Sequence, residues 1–153
     1  MIEYTSGDRS LLDRIAPLWE KTRAYHVACS THFAADMAGW SFVERMKELP
    51  AVVHVDMASD DKDMRCVGYC LSSINPERNG RVESLYVEDE YRGRGIGEAL
   101  MRKALAWLRE QEAQSTIIAV AAGNEEVIGF YARFGFYPKT VLLGQPKVLP
   151  LRT

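Results

Sequence analysis

The segment Tyr91-Arg92-Gly93-Arg94-Gly95-Ile96-Gly97 constrains this chain most. It stands between a strand-like stretch, Val82 to Val87, and a helical pattern from Ile96 to about Glu112. Leu100, Ala104, Trp107 and Leu108 share one face of that helix, so the unit reads strand, glycine turn, helix. Glycines at alternate positions leave backbone N–H groups uncovered, and the helix start adds its positive dipole end. Arg92 and Arg94 add two full charges. The segment is therefore either a phosphate cradle or a flexible turn with solvated arginines. It is not a P-loop, since the lysine and the spacing are missing, nor a dinucleotide fingerprint, since Glu98 stands where the third glycine belongs.

The rest of the chain surrounds that unit with alternating elements. Ile2 to Tyr4 reads as a short strand, and Ser10 as the cap of a helix through Leu11, Leu12, Ile15, Leu18 and Trp19. Pro17 within that pattern predicts a kink or a late start. A second helical pattern, Phe42, Val43, Met46 and Leu49, stops at Pro50. Val52 to Met57 and Cys66 to Ser73 flank a polar turn and predict a hairpin. After the helix from Ile96, the apolar run Thr116 to Ala122 predicts a strand covered on both faces. Asn124 then opens a short helix ending at Gly135, and a last strand is predicted over about Phe136 to Leu143. The whole predicts one mixed α/β domain over residues 1–153.

Composition removes several classes. The hydrophobic share of 47% and charged share of 26% are ordinary for a globular chain. A net charge of −2 offers no bulk attraction to nucleic acid, and no apolar run approaches the length of a membrane span. Glu3, Asp8, Arg9 and Asp13 interrupt the N-terminus where a signal peptide needs an apolar core, so the expected location is the cytoplasm. Cys29, Cys66 and Cys70 show no metal-ligand spacing and read as buried free thiols; Cys66 and Cys70, four apart in a strand, should share a face. No metal site is expected. His54, alternating with Val53 and Val55, is expected on an outer face.

The residues resemble a known family, the GNAT N-acetyltransferases. Arg92, Gly95 and Gly97 match its R/Q-x-x-G-x-G/A pyrophosphate loop, and Asn124, Tyr131 and Gly135-Phe136 match its downstream N-(x)6-Y-(x)3-G-F pattern. Val127 departs from the small residue often found there. The likeness is sharp over residues 82–136 and loose elsewhere. It implies a mixed, mostly antiparallel central sheet flanked by helices, with a V-shaped split that takes acetyl-CoA as co-substrate.

Under that resemblance each matched residue has a job. Arg92, Gly93, Arg94, Gly95 and Gly97 hold the coenzyme A pyrophosphate, and the backbone of Leu85 and Val87 pairs with the pantetheine arm. The Val87 N–H polarises the thioester carbonyl. Asn124 either bonds the pantetheine or caps its helix. Tyr131 is the candidate acid for the departing thiolate, and Glu83, on the same strand face as Leu85 and Val87, the candidate base. His26 and His32 are alternative bases, and Phe33 and Trp40 either line the acceptor pocket or pack in the core. The expected reaction is acetyl transfer to a primary amine in a ternary complex, with a small, polyamine-like acceptor. The alternatives are a non-catalytic acyl-CoA-binding module or acetylation of a protein N-terminus or lysine. A homodimer follows from the family resemblance alone.

Overall fold

The structure, a computed structural model, describes residues 1–147. Strand β1 (Ile2–Gly7) leads into α1 (Leu12–Cys29) and the short helices α2 (Ala34–Ala38) and α3 (Phe42–Lys47). Strands β2 (Val52–Asp60), β3 (Arg65–Ile74) and β4 (Asn79–Val87) follow, then α4 (Ile96–Glu110), β5 (Ser115–Ile118) and α5 (Ile128–Ala132). The five strands lie in chain order in one sheet. β1 to β4 pair antiparallel, and β5 pairs parallel to β4. A parallel neighbour cannot be reached by a tight turn, and α4 supplies the crossover.

Each sheet face has its own apolar cluster. Ile15, Leu18 and Trp19 of α1 pack on Val53, Val55, Met57, Tyr69 and Leu71. Leu100, Met101, Ala104 and Leu108 of α4 pack on Ala58, Val67, Cys70 and Val82 on the other face. Both helices thus bury the stripe that their 3.6-residue pattern marks, and truncating a fully buried leucine such as Leu100 to alanine costs about 2–5 kcal/mol.

Two bulges decide what each face carries. Between β2 and β3 the register steps from Ala58–Gly68 to Ser59–Cys66, leaving Val67 extra. Between β3 and β4 it steps from Leu71–Ser84 to Ser72–Val82, leaving Glu83 extra. An extra residue resets the two-residue alternation beyond it. Cys66 consequently packs with the α1 cluster and Cys70 with the α4 cluster, not on one face as their spacing suggests. Likewise Val82, Leu85 and Val87 all join the α4 side. Glu83 instead bonds Ser73, which pairs across from Val53 on the α1 side. The expected common face for Glu83, Leu85 and Val87 is thereby corrected.

Other expectations shift for local reasons. The Asp8 carboxylate, not Ser10, caps the first turn by accepting from the Ser10 N–H at 2.9 Å. Pro17 sits inside α1 without delaying its start. His54 stacks on Trp107 of α4, with centroids 4.8 Å apart, and bonds Asp56, so it lies under α4 and not on an outer face. β5 is shorter than the apolar run and only partly covered, with Ile117 46% exposed. No strand forms over 136–143: that stretch contains Pro138, which lacks an N–H donor, and pairs with no strand edge among the described residues.

Candidate active site

The sheet splits at the bulge. β5 pairs with β4 only from Asn79 to Val82, so from Glu83 onward one edge of β4 has no neighbouring strand. The Glu88 N–H donates to Val67 of β3 at 2.8 Å. Because successive residues of a strand alternate the side to which their backbone groups point, the Leu85 and Val87 groups aim away from β3, along the open edge. The Val87 carbonyl is already taken by the Arg92 Nε–H at 2.9 Å, which leaves its N–H as the free donor on that edge.

The open edge runs to the glycine turn. Gly93 and Gly95 have φ of +76° and +79°, left-handed backbone that a side chain disfavours, and Gly95 is the N-cap of α4. No side chain caps that helix start, so its first N–H groups face a cavity of about 410 Å³. The Arg92 side chain lines this cavity while also pairing with Asp89 at 3.0 Å. Arg94 does not line it: its guanidinium lies 4.9 Å from the centre of the Tyr91 ring and bonds the Glu90 carbonyl. Arg133, unmarked by the sequence reading, lines the mouth and pairs with Glu98 at 2.8 Å, and this pairing with Arg102 and Arg133 holds the Glu98 carboxyl below its ordinary range.

The far wall carries Asn124 and Tyr131. Asn124 is buried, and its side chain makes no capping bond; the turn is closed by its backbone carbonyl, which accepts from the Val127 N–H. Its Oδ1 is left without a partner among the described residues, a costly state unless something binds there. The helix-cap reading of this side chain therefore fails. Tyr131 packs beside Phe130, its hydroxyl makes no hydrogen bond among the described residues, and burial pushes the phenol up to about 12. It stays a proton donor throughout the neutral range.

Helix α1 closes the cavity with Thr22, Tyr25 and His26. The Tyr25 hydroxyl donates to Glu126 at 2.9 Å, tying α1 to the turn after Asn124, and that bond holds the phenol up at about 12. Burial lowers His26, so it is a neutral imidazole on this wall, whereas His32 is exposed and lines neither cavity. Phe33 and Trp40 line neither cavity, and Trp40 instead stacks under Arg45.

Glu83 opens onto a second cavity of about 590 Å³ that starts where the first ends along β4. Its Oε1 accepts from Ser73 Oγ at 2.9 Å and lies 3.5 Å from Arg81 Nε. Both contacts fall on one oxygen, which leaves Oε2 for a further partner. Among the described residues no group of three or more His, Cys, Asp or Glu is arranged to hold a metal, and no helix is long and apolar enough to cross a membrane.

An α/β domain whose sheet splits beside a bare helix start has a free strand edge running to a row of uncapped N–H donors. The comparisons place it: residues 16–136 match the Acetyltransferase (GNAT) family, and the chain belongs to that family. It is 27% identical over 114 residues, 74% of this chain and 72% of the relative, to a Bacillus subtilis protein named for alanine N-acetylation of a ribosomal protein. It is 37% identical over 67 residues, 44% of this chain and 39% of the relative, to glucosamine 6-phosphate N-acetyltransferase 1 of Oryza sativa. The chain spans about a third to a half of the length of several curated relatives it matches. The GCN5-related N-acetyltransferase structure from Ralstonia eutropha superposes with a TM-score of 0.73 at 20% identity, covering 94% of this chain and 97% of that one, and so shares the fold.

Proposed function

We propose that this chain transfers an acetyl group from acetyl-CoA to the primary amine of a small molecule, by direct attack with both substrates bound. The observation that carries this reading is the open edge of β4, which runs from Glu83 to the helix start between two cavities. The residues present fit the donor substrate. The Leu85 and Val87 backbone would hold the pantetheine amides, Gly93, Gly95 and Gly97 with Arg92 the pyrophosphate, and the orphaned Asn124 Oδ1 an amide N–H. Arg94 would contribute through its backbone and its charge near the turn, since its side chain is turned onto Tyr91.

Acetyl-CoA supplies an acetyl carbon already activated as a thioester; the N–C bond forms as the C–S bond breaks. The Glu83 carboxylate, directly or through water, takes the proton that the acceptor ammonium must lose. The Val87 N–H donates toward the carbonyl oxygen where negative charge grows. Tyr131 gives its proton to the sulfur, its raised range keeps that proton available, and the second proton shed by the acceptor nitrogen as it becomes an amide restores the phenol. A phenol in the first cavity and a carboxylate in the second, on either side of the open edge, argue against a non-catalytic binding module. The preference for a small amine rests on the resemblance of Val82 to Gly97 to polyamine and diamine acetyltransferases, with a protein N-terminus or lysine as the alternative acceptor. A homodimer is part of this reading; Val141, Leu142 and Leu143, more than 80% exposed, are apolar surface that a second copy would cover.

The test is release of coenzyme A thiol from acetyl-CoA in the presence of an amine panel. Amine-dependent release lost in Tyr131→Phe supports the reading. Amine-independent or absent release from a folded chain that binds acetyl-CoA contradicts it.

A further inference from the structure

The second cavity has a charge pattern that a polyamine does not complement. Arg45 and Arg81 line it with Glu48 and Glu83, so its formal charges balance. Arg45 is engaged by Glu48 at 3.0 Å and by the Trp40 ring. Arg81 is different: among the described residues its side chain's one hydrogen bond or ion pair runs from Nε to Glu83, leaving both terminal nitrogens as a fork of donors. Beside it, Asn75 and Asn79 spend their side-chain oxygens on the Asn79 N–H and on Ser115 Oγ. Their amide NH₂ groups remain donors at the same end of the cavity. One end thus offers N–H donors and positive charge. The next residue on that side of β4, Glu83, offers a carboxylate oxygen only 3.5 Å from the arginine Nε.

A ligand matched to that pair carries an anion and an ammonium side by side. We propose that the acceptor is a free α-amino acid, its ammonium at Glu83 and its carboxylate on the terminal nitrogens of Arg81. In an α-amino acid one carbon bears both groups, the same adjacency that Glu83 and Arg81 present with signs reversed. A planar guanidinium takes a carboxylate through two parallel hydrogen bonds. A diamine or polyamine instead brings only cations, and would place one against a fork of N–H donors. A volume of about 590 Å³ suits a small molecule of this size. The proposal rests on the acetyl-transfer reading above and departs from the polyamine expectation.

The experiment uses the whole chain. Calorimetry with acetyl-CoA first tests the donor site alone. Thiol release is then measured with the protein amino acids, with their carboxamides, and with putrescine and spermidine. At least one amino acid should be acetylated with kcat/KM more than about tenfold above its own carboxamide, the loss expected when a charged hydrogen-bond pair is removed. Arg81→Gln should collapse that ratio toward one, chiefly through KM for the free acid; Arg81→Lys should restore part of it. The proposal is overturned if acetyl-CoA binds but polyamines or carboxamides are better acceptors than every free acid, or if the ratio survives Arg81→Gln. Absence of acetyl-CoA binding removes the donor reading, and the acceptor proposal with it. Should Arg81→Gln fail to fold, the wild-type ratio of acid to carboxamide decides alone.

Discussion

Ser73 Oγ donates to Glu83 Oε1 at 2.9 Å across the β3–β4 pair, and it does so because Glu83 is the extra residue of a bulge. Without the extra residue, strict alternation would turn Glu83 toward the α4 side with Leu85 and Val87. The bulge sends the carboxylate to one cavity and keeps the strand edge beside the other. Ser73 is a positioning residue for Glu83. Ser73→Ala should lower kcat by about tenfold and leave the acetyl-CoA Kd unchanged, because only the carboxylate loses its anchor. A matching loss of acetyl-CoA affinity, measured by calorimetry, would show a general disturbance of the sheet.

Glu83→Gln keeps the shape of that corner and removes the proton acceptor. Turnover should fall by about 10²–10⁴-fold, the usual scale for losing a general base, while the acetyl-CoA Kd stays unchanged. Unchanged turnover would assign the base elsewhere, with His26 on the α1 wall of the first cavity as the next group to test.

Tyr131→Phe should lower turnover and leave acetyl-CoA affinity nearly unchanged. Its phenol, raised by burial to about 12, predicts no alkaline loss of activity from this group until pH approaches that value. The linkage has a definite sign: the folded value lies above the ordinary phenol range near 10, so this residue's contribution to stability is complete below about pH 10 and is lost as pH rises toward 12. Denaturant midpoints from pH 8 to 11.5 should fall more steeply at the alkaline end in the wild type than in Tyr131→Phe.

Asn124→Ala separates binding from folding. The buried Oδ1 has no partner among the described residues, so its removal should leave stability unchanged or slightly raised while acetyl-CoA affinity falls by about tenfold. A clear loss of stability in thermal unfolding would restore the structural reading of this side chain.

Much of this architecture is legible in the residues. The helix stripe Leu100, Ala104 and Leu108 and the Gly93–Gly95 turn stand where the sequence places them. The bulge left a signal too: Val82, Leu85 and Val87 are apolar at steps of three and two, a break in period that a strand buried on one side cannot absorb without an extra residue. Arg133 was not legible, because an arginine on a short helix has no local mark of what it faces. Nor was the turning of Arg94 onto Tyr91, since neighbouring arginines in a loop differ only in where three-dimensional packing leaves room for each. The strand expected over 136–143 failed because β-pattern shows what can pair, not whether a partner edge exists.

The central claim is that the open edge and the glycine turn take acetyl-CoA. Titration calorimetry of the wild-type chain and of Gly95→Asp, with ATP and NAD as controls, tests it most directly. The account predicts selective binding of acetyl-CoA by the wild type, weakened at least tenfold by Gly95→Asp. That change places a side chain on backbone with φ of +79° and a negative charge at the bare helix start. Gly95→Asn, with a side chain that tolerates this backbone but carries no charge, should fall between the two. Equal binding of ATP, or an affinity for acetyl-CoA that Gly95→Asp leaves intact in a folded chain, would contradict the account.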